Sequence, residues 1–270
     1  MNSTAETFPA VTGKRVREHV LRESRRANVG HIGSALSIAD IVAALYGGIL
    51  RIASPDDPDR DRFILSKGHA ALALYAALAL RGWISEEQLA TYCGDDSLLG
   101  VHPEHALNGV DFSIGSLGHG LPIAAGCALA ASLSGSARRV FVIVSDAELN
   151  EGSTWEALMF AAQHRFSNLY VFVDSNGQQA LGYTRDVIAI DNAAARFDAF
   201  GWDAQTVDGH DVAAMRAAVD GAAADPRPHV FVARTVFGQG VSFMKNRIKW
   251  HYWPMSADEF AQAMTEVAAT

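Results

Sequence analysis

The chain has 270 residues, 49% of them apolar, enough to bury a full core as one large domain or two small ones, which excludes a peptide or an extended linker. Its 22 lysines and arginines against 30 aspartates and glutamates leave a net charge of −8, and no basic run has the length that a reader of phosphate backbones needs. Nucleic acid is therefore not an expected partner. The two cysteines, Cys93 and Cys127, lack the short paired spacing of a zinc or redox motif. Met1 to Ala10 shows no basic stretch followed by an apolar one, and no segment reaches the roughly 18 uninterrupted apolar residues of a membrane span. A soluble, untargeted chain of the reducing cytoplasm is the expectation.

In chain order, residues 14–28 read as an amphipathic basic helix ending at a glycine-bracketed turn, Gly30-His31-Ile32-Gly33. A second helix is expected to open near Ser37, where Ser37-Ile38-Ala39-Asp40 has the form of a capping box. Ala53 to Arg62, rich in Pro and Asp, predicts a surface turn leading into the short apolar run Phe63-Ile64-Leu65, with another helix from Gly68 to Arg81. From Arg139 the pattern becomes strand (140–144), helix (153–164) and strand (169–173), followed by a strand at 229–236 and helices at 211–224 and 256–268. Near-continuous apolar strands joined by a helix imply an α/β fold, a doubly wound, mostly parallel sheet covered by helices on both faces. No repeat, low-complexity tract or linker divides it, so a single domain over 1–270 is expected.

In a right-handed strand–helix–strand unit the two strands usually lie side by side, and ligands gather beyond their carboxyl ends. Asp146 follows the strand ending at Val144 and Asn176 the strand ending at Val173, so neighbouring strands about 4.8 Å apart would aim both into one crevice. One carboxylate, one amide oxygen, a backbone carbonyl and phosphate oxygens suit the octahedron of Mg²⁺, which points to a metal-bridged diphosphate. The plainer alternative is that Asp146 simply caps the following helix.

The surrounding residues go further. Ser145-Asp146-Ala147-Glu148, Glu151-Gly152, Trp155-Glu156-Ala157 and, thirty residues after Asp146, Asn176-Gly177 resemble the thiamine-diphosphate motif of transketolases. The likeness extends along the chain through Gly30-His31, Asp61-Arg62-Phe63-Ile64-Leu65-Ser66-Lys67-Gly68-His69-Ala70, His102-Pro103-Glu104, Gly115-Ser116-Leu117-Gly118 and Lys249-Trp250-His251-Tyr252-Trp253-Pro254. The ordered set is similar to the N-terminal half of transketolase, in the form where that enzyme is split into two polypeptides.

The resemblance implies that Asp146, Asn176 and the backbone carbonyl of Gln178 hold Mg²⁺, with Ca²⁺ or Mn²⁺ able to substitute. It also implies that thiamine diphosphate is contacted by His69, His251, the backbone at Ala147, and Glu148 within the same motif. Gly115-Ser116-Leu117 matches the segment against the aminopyrimidine, where glycine permits a close approach. His31 and His102 match histidines that face the sugar and could move protons on and off its hydroxyls; a histidine in a glycine-rich turn is also commonly just a packed residue. Four histidines follow a glycine; His31, His69 and His119 fall in matching segments, and His210 is read as a surface residue. His102 and His105, with Glu104 between them, could alternatively form part of a zinc site. Glu151 and Glu156 match acidic residues at the interface beside the cofactor, or else form a solvated helix face.

In that family the cofactor carries the chemistry and a two-carbon ketol unit passes from a ketose, or its phosphate, to an aldose or other aldehyde acceptor. The glutamate that activates the cofactor belongs to a pyrimidine-binding domain, which, with the family's C-terminal domain, is expected on a partner chain. The resemblance thus implies a C-terminal partner subunit in a two-plus-two heterotetramer. Ser145 and Ala147 stand where the family usually has glycines, His119 replaces a common Gln, and Ile32 a Pro, which suggests a specialised transferase. A 2-oxo acid decarboxylase or dehydrogenase component, or a catalytically silent partner-stabilising subunit, are the competing readings.

Overall fold

A computed structural model of the chain describes residues 10–270; apart from Ala10, the N-terminal stretch read above for a leader lies outside them. The chain starts with α1 (Gly13–Ala27), α2 (Ile32–Ser37), α3 (Ala39–Ala44), β1 (Arg62–Leu65), α4 (Ala71–Leu80) and α5 (Glu86–Leu89). After a long loop come α6 (Gly120–Leu133), β2 (Val140–Ser145), α7 (Gly152–Gln163), β3 (Leu169–Ser175), a small hairpin of β4 (Gln178–Gln179) and β5 (Gly182–Tyr183), and α8 (Thr184–Val187). The last third holds α9 (Ala193–Ala199), β6 (Asp203–Asp208), α10 (Val212–Ala222), β7 (His229–Arg234), α11 (Lys249–Tyr252) and α12 (Ala257–Ala268).

Five strands form one parallel sheet in the order β1-β2-β3-β7-β6. Alternation along the strands builds two different cores. Phe141, Ile143, Tyr170, Phe172 and Phe231 pack on one face with residues of α1, α3, α4 and α10. Val142, Val144, Val171, Val173 and Val230 pack on the other with α6, α7 and α9. Because both faces are covered, β2 is buried along its whole length, which is why its sequence is an unbroken apolar run.

The capping box expected at Ser37 does not form. Ser37 is the last residue of α2, and its hydroxyl donates instead to Asp174 Oδ1 at 2.7 Å, a buried partner 137 positions away. His210 is likewise not a free surface residue: its Nδ1 lies 2.8 Å from Asp40 Oδ2, which also accepts from Arg17, and its Nε2 accepts from the Val236 N–H.

The polar centre of the fold lies at the carboxyl end of the sheet. Asp174 is fully buried at the end of β3 and receives Lys67 from the end of β1, Ser37 from α2, Thr235 from just beyond β7, and Asn176 Nδ2 at 3.0 Å. Lys67 is only 1% exposed and also donates to the Ser34 carbonyl at 3.3 Å. Two charges removed from water are tolerated only when each finds the other and its remaining hydrogen-bonding groups are filled. Lys67→Met should therefore cost about 3–5 kcal/mol in urea unfolding at neutral pH, whereas Lys249→Met, which breaks the half-exposed pair with Glu259, should cost less than about 1 kcal/mol.

Candidate functional site

An open cavity of about 580 Å³ sits over this buried pair, lined by residues that include His31, Lys67, His69, Leu117, Ser145, Ala147, Asn176, Gln178, His251 and Tyr252. Each comes from a segment that leaves the carboxyl end of a strand or from a turn packed against one. Three of the lining residues are histidines, with ring centroids 5.5 Å apart for His31 and His69, 5.6 Å for His31 and His251, and 5.4 Å for His69 and His251.

The glycines around His31 account for this convergence. A Cβ on Gly30 would lie 2.3 Å from the Tyr252 carbonyl, and one on Gly33 would lie 2.1 Å from the Phe237 ring, on which His251 stacks. Only glycine lets the two segments meet so closely. The His31 N–H then donates to the His251 carbonyl at 3.2 Å, and His31 itself is held in the left-handed region at φ 60° and ψ 17°. A non-glycine residue held there is strained, a condition that concentrates at functional sites.

The imidazoles share one electrostatic environment. Burial lowers the pKa of His31, and nearby His102 and Lys67 lower it further. His69 is pushed well below its ordinary value by burial first and then by Lys67. His251 is lowered to about 4 by burial, His31 and Lys67. All three are uncharged near neutrality, so each ring can donate through one nitrogen and accept through the other. His31 Nδ1 and His251 Nδ1 are buried without a partner among the described residues.

Asp146 and Asn176 sit at neighbouring strand tips but line different recesses. Asn176 lines the main cavity, whereas Asp146 lines a second recess of about 550 Å³ with Gly177, Thr184 and Ile190. The chain's own donors account for both orientations. Asp146 Oδ2 accepts from the Gly177 N–H at 2.8 Å and the Thr184 hydroxyl at 3.1 Å, while the Asn176 amide donates to Asp174 and Ser37. Asn176 Oδ1 accepts from the Gln178 N–H at 2.8 Å. Adjacent strands and the Gly177 bond nevertheless keep the two residues together.

Asp146 Oδ1 is buried with no partner among the described residues, as is Gln178 Oε1. Burial, and then the charge of Asp174, raise the Asp146 carboxyl to about 7. A buried carboxylate oxygen left without a partner is the kind of donor that a hard divalent cation such as Mg²⁺ takes. Among the described residues no group of three or more His, Cys, Asp or Glu could hold a metal. His105 Nδ1, for its part, lies 3.0 Å from Ser113 Oγ.

Other expected residues fall around the cavity. His102 is exposed beside it, with its ring near Gly68 and Gly115. Gly115 and Ser116 are exposed outside the lining, which takes only Leu117 from that turn. Glu151 and Glu156 are exposed at the start of α7, Glu156 beside Pro122 and Phe160. Glu148, expected to contact the cofactor, is instead fully buried away from the cavity. Lys67, Ser34, Gln179 and Tyr252 also line the cavity, although the sequence assigns none of them a role; Lys67 and Tyr252 stand inside the matching segments, two positions before His69 and one after His251.

The family model described as "Transketolase, thiamine diphosphate binding domain" matches residues 12–269, so the chain belongs to the transketolase family and constitutes its N-terminal, thiamine-diphosphate-binding part. It is 39% identical over 241 residues to an apulose-4-phosphate transketolase subunit of Actinobacillus succinogenes, covering 88% of this chain and 87% of that one. The 6-deoxy-6-sulfo-D-fructose transketolase subunit SqwG of a Clostridium strain is 36% identical, with 93% of each covered. The transketolase of Campylobacter jejuni superposes with a TM-score of 0.90 at 27% identity, covering 99% of this chain but 43% of that one. The chain thus spans less than half of that transketolase and most of the two relatives that are named as transketolase subunits.

The histidine and aspartate shifts have opposite consequences for stability against pH. A pKa lowered by folding contributes stability that is fully present above the ordinary value and is lost as pH falls through the folded one; for His251 that window runs from 6.5 down to about 4. A raised pKa contributes stability present below the ordinary value and lost as pH rises; for Asp146 that window runs from 3.8 up to about 7. Urea midpoints measured across pH 4 to 8 should show His251→Phe reducing the loss on acidification and Asp146→Asn reducing the loss on raising the pH.

Proposed function

We propose that this chain is the diphosphate-binding subunit of a split transketolase, which with a pyrimidine-binding partner transfers a two-carbon ketol unit from a ketose or ketose phosphate to an aldose or other aldehyde. The observation that carries the reading is the cluster of three histidines lining one cavity together with Asn176, Gln178 and the two neighbours of Asp146, Ser145 and Ala147. Relatives matched over nearly their whole length and named as transketolase subunits support the split form.

In this reading Asp146, Asn176 and the Gln178 carbonyl would hold Mg²⁺, whose charge would supply the reason for Asp146 and Asn176 to turn toward each other. His69, His251 and the Ala147 N–H orient the diphosphate, and the Gly115-Ser116-Leu117 turn orients the aminopyrimidine. Thiamine diphosphate, when bound, supplies the nucleophilic carbon that breaks and makes carbon–carbon bonds. His31 and His102 would hold and move protons at sugar hydroxyls. Ala147 lines the cavity where the family usually has glycine, while the Ser145 hydroxyl is turned to Glu148. Glu151 and Glu156, exposed at the start of a helix that also exposes Met159 and Phe160, would face the partner in a two-plus-two assembly.

Co-expression with the pyrimidine-binding chain tests the proposal. The complex should take up thiamine diphosphate only with a divalent cation and pass ketol units between sugars. Asp146→Ala should abolish uptake and lower turnover by a factor of about a hundred or more. A complex that binds no thiamine diphosphate would instead favour a silent, partner-stabilising role.

A further inference from the structure

Glu148 is fully buried, yet its carboxylate is the meeting point of three segments that form the cavity wall. Oε1 accepts from the Ser66 hydroxyl, just beyond β1, and from the Gly118 N–H at 3.0 Å, just before α6. Oε2 accepts from the Ser145 N–H at 2.8 Å and the Ser145 hydroxyl at 3.2 Å, at the end of β2. Each bonded group is itself part of the cavity lining or the immediate neighbour of a lining residue: Ser66 precedes Lys67, Gly118 follows Leu117, and Ser145 lines the cavity directly. Ser66 Oγ passes the connection on by accepting from the Gly120 N–H at 3.1 Å, which fixes the start of α6.

We propose that Glu148 is a positioning residue that sets the width of the cofactor cavity, holding the Lys67, Leu117 and Ser145 walls in register without touching what binds there. This rests on the reading of the cavity as a thiamine-diphosphate site. The chemistry of the junction requires a carboxylate. All four groups donate, and a carboxylate offers acceptors on both oxygens. Glutamine keeps the shape but must turn its NH₂ toward either the Gly118 N–H or the Ser145 N–H, placing donor against donor. One wall is then released whichever way the amide lies. A group that acts on affinity through neighbouring residues is expected to change ligand binding about 10–100-fold.

The test uses the complex reconstituted with its partner chain and titrates thiamine diphosphate in excess Mg²⁺ by calorimetry, alongside kcat at saturating cofactor. Glu148→Gln should raise the cofactor Kd at least about tenfold while kcat at saturation stays within about threefold. Ser66→Ala, which removes one arm of the junction, should raise Kd by a smaller factor. Val219→Ala, a core truncation in α10, should lower the unfolding midpoint and leave Kd unmoved. Should Glu148→Gln fail to fold, Ser66→Ala and Ser145→Ala carry the test. A Kd within about twofold of the parent complex in the junction variants, or a fall in kcat at unchanged Kd, overturns the proposal. A parent complex that takes up no cofactor overturns the thiamine-diphosphate reading, and this inference with it.

Discussion

The structure depends on a buried ion pair. Lys67 and Asp174 are removed from water at the carboxyl end of the sheet, and the fold surrounds them with Ser34, Ser37, Asn176 and Thr235 so that the charges stay compensated. Those partners come from separate segments, so satisfying one carboxylate draws α2 and the ends of β1, β3 and β7 to one point. The cavity lies directly above that point, and Lys67 lines it. Placing the pair here rather than in the apolar layers lets one set of hydrogen bonds shape both the fold and the site.

The same lysine governs the electrostatics of the histidines. A cation below a half-enclosed cavity disfavours protonation of His31, His69 and His251, adding to the larger effect of burial. Neutral rings can donate to anionic oxygens and accept from hydroxyls without carrying a charge of their own. Glycine contributes as much as charge does, because Gly30 and Gly33 allow His31 to come within reach of His251.

The strands are legible in the sequence because a sheet covered on both faces must be written in unbroken apolar runs. The edge strand β6, Asp203-Ala204-Gln205-Thr206-Val207-Asp208, lies partly open and carries no such run, so nothing marks it. Helix α6 is hidden for the opposite reason: its sequence is apolar all round and has no helical stripe. Asp146 and Asn176 can be located from strand ends alone, but their orientations depend on Gly177, Thr184 and Ser37, which no local pattern connects to them. Ser37, His210 and Glu148 mislead on the same ground. Ser37 and Glu148 follow familiar local motifs and His210 follows none, yet each side chain is claimed by a distant partner.

The account stands on a cation held between the tips of β2 and β3 beneath three neutral imidazoles. The most direct measurement is a crystal structure of the two-chain complex grown with thiamine diphosphate and Mn²⁺, read from the anomalous scattering of manganese. The account predicts one strong peak bonded to an Asp146 carboxylate oxygen, the Asn176 amide oxygen and the Gln178 carbonyl, with the diphosphate between it and His69 and His251. Manganese and cofactor bound elsewhere, with Asp146 still engaged only by Gly177 and Thr184, would contradict it.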